Sequence, residues 1–207
     1  MERNRIAFVL RRTLGRLLDN SVLRQYVVYW TDLAELAQAA APDPRIRWAT
    51  AADEAALTRF GVDCHLVHNA LESGGRIAVL EDGGRIVAVN LFWIDPVSID
   101  VLTVRCPTGG VMGSNGFVDP AYRGLRFFAA MKAFAAREFL ARGYRGMVNF
   151  ARWHNVSANR GHRHARARPL FRIAILRGPF RLRLIKEGNA LSIGRWSKAN
   201  PRLVVIP

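Results

Sequence analysis

The stretch Phe117-Val118-Asp119-Pro120-Ala121-Tyr122-Arg123-Gly124-Leu125-Arg126-Phe127-Phe128 decides the reading of this chain. Upstream of it, Val111–Val118 reads as a strand whose Gly113 and Gly116 mark a bulge or a close approach of backbone. Asp119-Pro120 ends that strand. Downstream, residues 124–142 form the clearest helical pattern in the chain: Phe127, Met131 and Phe134 share a face, Phe128, Ala135 and Phe139 lie beside it, and Gly143 is placed to cap the end. A strand, a short turn and a long helix bring free backbone N–H groups and the positive end of the helix dipole to one spot. Such a spot receives an anion, and Arg123 and Arg126 add charge to it.

Working outward, Arg45–Ala49 alternates like a strand, and Thr50-Ala51-Ala52-Asp53 resembles a capping box that starts a helix running to about Phe60. Residues 63–72 read as a second helix stopped by Gly74-Gly75. Arg76–Leu80 and Arg85–Trp93 form a hairpin around Glu81-Asp82-Gly83-Gly84, and Ile99–Arg105 is a further strand. After the long helix come a strand at Gly146–Ala151, a polar helical segment at 156–166, and strands at Arg172–Leu176 and Phe180–Ile185. The order is β-α-α-β-β-β-β-α-β-α-β-β, with no internal repeat. At the N-terminus, Ile6, Leu10, Leu14, Leu17 and Leu18 make a helical stripe flanked by Arg5, Arg11, Arg12, Arg16 and Arg24, so residues 4–30 read as a basic amphipathic helix. It either docks on the domain or lies on anionic lipid. Its tail, Tyr26-Val27-Val28-Tyr29-Trp30, serves equally well as a strand. The divisions expected are an N-terminal helical segment over 1–36, a linker over 37–44 carrying Pro42 and Pro44, and one domain over 45–207.

Composition bounds the answer. Hydrophobic residues make up 50% and charged residues 23%, which excludes a disordered chain or a low-complexity fibre. Two cysteines, Cys64 and Cys106, exclude a disulfide scaffold and fit a reducing compartment. No apolar run reaches a transmembrane span, and Ile6–Leu10 is too short for a secretory signal, so the expected place is the cytoplasm, with a peripheral position at the membrane if residues 4–30 bind lipid. The net charge is +15, and it is unevenly spread: +4 over residues 1–31, −6 over 32–119 and +17 over 120–207. The basic excess thus begins at the strand–turn–helix stretch, where anions are expected.

The same stretch resembles the acyl-CoA-binding motif of the GNAT acyltransferase superfamily, V-x-P-x-Y-R-G-x-G-x-G/A, matched here by Val118, Pro120, Tyr122, Arg123 and Gly124. Asn155-Val156-Ser157-Ala158-Asn159-Arg160 resembles the family's N-x-x-S-x-R segment at the expected distance, and two helices followed by a β-meander resemble its upstream order. The resemblance covers about residues 45–180. It implies an α/β fold, a mixed central sheet flanked by helices, and transfer of an acyl group from acetyl-CoA or another acyl-CoA to an amine. It implies that the amides of Arg123, Gly124, Leu125, Arg126, Phe127 and Phe128 hold the pyrophosphate. The pantetheine pairs with the strand at Phe117 and Val118, and Asn155 faces the cofactor arm. Arg126 stands at the motif's second glycine and Phe128 at its final glycine or alanine. His162 stands where the family often has the tyrosine that protonates the leaving thiolate, which makes His162, with an ordinary pKa near 6.5, the candidate proton donor. His164 is its nearest substitute.

Asp95, Asp100 and Asp119 are candidate bases that no spacing singles out, and Ser114 and Asn115 occupy the strand where some relatives carry an acid. Cys64-His65-x-x-His68 lacks a second ligand cluster and reads as core packing; no metal is expected. The run Arg160–Arg168 offers a phosphate-rich ligand or RNA a basic surface. Tyr29-Trp30-Thr31-Asp32-Leu33 weakly resembles bacterial acyltransferases of envelope or exopolysaccharide pathways, which implies an amino-sugar acceptor. Two alternatives stay open: a catalytically degenerate basic module binding nucleic acid or anionic lipid, and a long-chain acyltransferase served by an acidic acyl carrier protein.

Overall fold

A computed structural model describes residues 23–60, 62–72, 75–94, 97–99, 102–106, 108–176, 182–187, 190–195 and 202–205. In chain order the elements are β1 (Leu23–Asp32), α1 (Leu33–Ala37), β2 (Ile46–Trp48), α2 (Glu54–Arg59), α3 (Cys64–Glu72), β3 (Gly75–Asp82), β4 (Arg85–Trp93), β5 (Val97–Ile99), β6 (Leu102–Arg105), β7 (Gly110–Val118), α4 (Phe127–Ala141), β8 (Gly146–Arg152), α5 (Val156–His164), β9 (Arg168–Leu176), β10 (Leu182–Glu187), β11 (Ala190–Arg195) and β12 (Arg202–Val205). The described residues fall into two compact units. One takes the described residues within 31–97 and 104–148, with 205, and the other those within 23–30, 98–103 and 149–204.

The first unit is built on an antiparallel run of β2, β3, β4 and β7. β3 and β4 are joined by Gly83 and Gly84, both at positive φ (57° and 75°), the twist that a tight hairpin demands and that side chains resist. Val87–Trp93 is buried throughout, so β4 is a central strand. The capping box is present: Asp53 accepts from the Thr50 N–H at 2.8 Å. α4 packs an aromatic core with β2 and β4. Trp48 stands 5.1 Å from Phe134 and 5.8 Å from Phe139, and Phe139 stands 5.8 Å from Phe92, at the tilted and edge-on angles that ring quadrupoles favour. Gly143, at φ 83°, ends α4 as expected and donates to Leu140. Arg137 fastens α1 to α4 by donating through Nη1 to the carbonyls of Ala37 (2.7 Å) and Ala40 (3.0 Å).

The second unit carries an antiparallel sheet of order β11-β10-β9-β1, with α5. Here the helix expected over 4–30 needs correcting. Residues 23–32 are a strand paired with β9, Tyr26 opposite Ile173 and Val28 opposite Phe171. The physical reason is in the side chains: the aromatic and β-branched Tyr26–Tyr29 are all buried, and they suit a pleat covered on both faces better than a helix with one wet side. The helical stripe over residues 4–22 lies outside the described residues. Strands β11 and β12 extend beyond the element order read from sequence.

Candidate functional site

The turn between β7 and α4 is assembled from three local devices. Asp119 accepts from the Ala121 N–H at 2.9 Å and starts a single 3-10 turn over Pro120–Tyr122. Arg123 is extended, and Gly124 takes φ 90° with no atom within 4 Å of its absent side chain. Arg126 takes the left-handed conformation (φ 60°, ψ 16°) and its carbonyl accepts the first bonds of α4, from Ala129 and Ala130. The helix therefore begins at Phe127 rather than at 124. Among the described residues, none of the backbone N–H groups from Gly124 to Phe128 has an acceptor. Five unpaired donors and the positive end of a 15-residue helix meet at one exposed turn. The motif's second glycine is replaced by Arg126, yet the backbone there adopts the left-handed state a glycine would have supplied.

The turn is held from the side by the β3–β4 hairpin. Tyr122 donates its hydroxyl proton to Asp82 Oδ2 at 2.8 Å, and Arg45 donates to Asp82 Oδ1 at 3.3 Å. The Arg45 guanidinium also lies 5.2 Å above the Phe127 ring, and that of Arg85 lies 5.6 Å above Tyr122. Arg85 reaches to 3.9 Å from Asp119. Arg123 folds its Nε back on the Val118 carbonyl at 3.2 Å and remains exposed, as does Arg126. Among the described residues, Asp43, Asp53, Glu81, Asp82 and Asp119 of the middle region thus meet its own arginines. Arg45 holds the Asp43 carboxyl below its ordinary range, and Arg47, bound to Asp53 and Glu81, holds Asp53 well below it.

Beneath the turn lie groups that spacing alone did not reveal. The Phe128 ring rests on Gly116 of β7. Lys132 is buried, its Nζ 4.7 Å from the centre of that ring, and burial pushes its ammonium down to about 7. Lys132 lies one helical turn after Phe128 on the apolar stripe, which was the available signal. Ser114 accepts from Trp93 Nε1 at 2.8 Å. Burial raises the Cys106 thiol to about 12, so it carries no thiolate at neutral pH.

Asn155 and His162 belong to the second unit. Asn155 is the N-cap of α5: its Oδ1 accepts from the Ala158 N–H at 3.1 Å. Its side-chain N–H donors have no partner among the described residues. His162 is buried, stacked on Tyr29 with ring centres 4.7 Å apart and planes at 19°. Tyr29 donates to Asn159 Oδ1 at 2.7 Å, and Asn159 donates in turn to the carbonyls of Arg152 and Asn155. Tyr29 and Asn159 are the residues that sequence reading missed around His162. His164 is exposed, with Arg160, Arg163, Arg166 and Arg168. Asp95 and Asp100 lie outside the described residues, and Asp119 is engaged as a cap. The expected core role of Cys64-His65-x-x-His68 does not hold for its histidines. Both are exposed, because the inward face of α3 is Val67 and Ala70, and His68 instead meets Glu72 at 2.9 Å.

No family model matches the sequence, and no curated protein matches it. Solved structures do match. An acetyltransferase of the GNAT family from Colwellia psychrerythraea superimposes with a TM-score of 0.54 at 15% identity, over 74% of this chain and 55% of that one. A GCN5-related N-acetyltransferase from Sphaerobacter thermophilus gives 0.51 at 19% identity, over 79% and 55%. A conserved protein of unknown function from Staphylococcus epidermidis gives 0.55 at 9% identity, over 84% and 66%. The chain has the GNAT fold. Its mixed α/β architecture, with sheet flanked by helices, is the one expected from the motif, and the chain spans between 55% and 66% of the length of these solved chains. Among the described residues, no helix is long and apolar enough to cross a membrane.

Proposed function

We propose that this chain is an acyl-CoA-dependent N-acyltransferase that moves an acyl group, acetyl first among candidates, to the amine of a small molecule or amino sugar. The observation that carries the reading is the run of five unpaired N–H groups from Gly124 to Phe128 at the start of α4, on a GNAT fold and in register with the family's phosphate motif. The residues present fit a pyrophosphate there: the turn is exposed, Gly124 leaves it open, and the exposed Arg123 and Arg126 stand on it. Acyl-CoA, when bound, supplies an activated thioester.

The proposed chemistry is direct. The acceptor nitrogen attacks the thioester carbonyl carbon, the carbon–sulfur bond breaks, the nitrogen loses a proton and the leaving sulfur gains one. His162 is the proposed donor of that second proton, and Asn155, through its side-chain N–H, a contact to the cofactor arm. The four acids held by Arg45 and Arg47 contribute little field for a cationic acceptor, so recognition of the amine falls to other groups.

Isothermal calorimetry with acetyl-CoA tests this. Micromolar binding that weakens at least tenfold in Arg123→Glu supports the enzyme. One observation favours a rival, a basic binding module that has lost the chemistry: Phe128 covers Gly116 where the motif has a small residue. Absence of acetyl-CoA binding together with salt-sensitive binding of RNA or anionic vesicles would replace the first reading with that one.

A further inference from the structure

Phe128 lies in the first turn of α4, and its ring runs down from the helix onto β7. A Cβ built on Gly116 would stand 1.9 Å from the ring's Cε2, 2.8 Å from Cζ and 2.9 Å from Cδ2, so the ring fills the space that any side chain at 116 would need. Lys132 borders the ring from the next turn of the helix. Gly116 pairs across the sheet with Asn90 of β4, beside the register shift at Asn90/Leu91. Directly paired residues present their side chains to the same face of a sheet, so Asn90 shares the face on which the Phe128 ring lies.

Asn90 is 1% exposed, and neither its Nδ2 nor its Oδ1 has a hydrogen-bond partner among the described residues. A buried carboxamide with both ends unpaired is rare in folded proteins, because leaving such a group unmade costs more than pairing it gains. Asn90 therefore offers one donor set and one acceptor, the complement of a secondary amide. The arm of an acyl-CoA carries secondary amides between its phosphates and its thioester. It leaves the phosphates at the α4 turn, to which Gly116 and Phe117 lead directly.

This inference rests on the acyl-CoA reading. We propose that Phe128 is a specificity-determining gate: its ring closes a subsite floored by Gly116 and Asn90, and the amide-bearing arm of the donor displaces the ring and pairs with the Asn90 carboxamide. The phosphates alone do not open it. Donors are accordingly sorted on the arm as well as on the nucleotide.

The test compares acetyl-CoA with adenosine 3′-phosphate 5′-diphosphate, which carries the pyrophosphate and the 3′-phosphate and no arm, by calorimetry on the full chain. Phe128→Ala is expected to tighten acetyl-CoA at least tenfold and to leave the arm-free nucleotide within twofold. Asn90→Ala is expected to weaken acetyl-CoA at least tenfold, again without moving the arm-free nucleotide. Unchanged or weaker acetyl-CoA binding by a folded Phe128→Ala overturns the gate. Should that variant lose its melting transition, 4-fluorophenylalanine at position 128 gives a second readout. Its fluorine resonance moves on saturation with acetyl-CoA and stays in place with the arm-free nucleotide, whereas a resonance unmoved by acetyl-CoA overturns the proposal. A wild-type chain that binds neither compound overturns the acyl-CoA reading and the gate with it, a result distinct from binding that ignores position 128.

Discussion

Replacing Lys132 with methionine should make the protein more stable, and by an amount that depends on pH. The side chain is 4% exposed, on the face of α4 that also buries Met131, Ala135, Ala136 and Phe139. Burial penalises the ammonium and lowers its pKa from 10.5 to about 7. At about 1.4 kcal/mol for each tenfold in acidity, that displacement corresponds to about 5 kcal/mol. Between pH 7 and 10.5 the unfolded chain holds a proton on Lys132 that the native chain has given up, so raising the pH stabilises the native state. Below about 7 both states are protonated and the full penalty stands; above 10.5 neither is, and it vanishes. Methionine, close in volume and uncharged, carries no such penalty. Urea unfolding followed by tryptophan fluorescence should therefore show Lys132→Met several kcal/mol ahead of wild type at pH 6, by about 5 kcal/mol at most, and the gap should narrow by about 2.5 kcal/mol between pH 7.5 and 9.5. A gap that stays constant across that interval would show that Lys132 ionises normally in the native state and would refute the burial argument.

Three further outcomes follow from the same geometry. Tyr122→Phe removes the hydroxyl that binds Asp82 and should cost about 1 kcal/mol in chemical denaturation, the worth of about one hydrogen bond, and should weaken acetyl-CoA in calorimetry because the turn loses its tie to the β3–β4 hairpin. Gly116→Ala should cost about 1–3 kcal/mol in chemical denaturation, and distinctly less when Phe128 is already alanine, because the three atoms nearest the added methyl all belong to that ring; equal costs in the two backgrounds would contradict the packing. Asp53→Ala should cost about 1–2 kcal/mol through the lost cap and its Arg47 partner. The Asp53 carboxyl is held below its ordinary range, so its stabilisation is present above about pH 4 and is lost as the pH falls further, and denaturation curves of wild type and variant should converge in acid.

What could be read from the sequence was what local chemistry decides. The Gly83-Gly84 turn, the Thr50–Asp53 cap, the Gly143 stop and the strand–turn–helix at 117–128 each depend on neighbours a few residues apart, and each is present, the last with its helix starting at Phe127 instead of 124. The misses depend on distant partners. Tyr26–Trp30 suits a helix tail and a strand equally well by itself, and β9, some 140 positions later, decides for the strand by pairing with it. His162, read as the candidate proton donor, sits in an arginine-rich run that gives no sign of its burial. Its burial follows from Tyr29, although Asn159 and His162 three apart on one helix face were a usable sign. The Phe128–Gly116 contact and the burial of Lys132 belong to the packing of a helix on a sheet, which no spacing along one segment encodes.

The tip of the β3–β4 hairpin is also a point of entry for engineering. Gly83 and Gly84 face open space, the usual mark of a loop that accepts an insertion. Asp82, the residue before them, reaches forty positions along the chain to Tyr122. The tip is therefore a remote handle on the phosphate turn. A peptide or a reporter domain spliced between Gly83 and Gly84 would transmit strain to Tyr122 without touching any group that meets a ligand, which offers a way to tune anion affinity from outside the site or to read its occupancy as a signal.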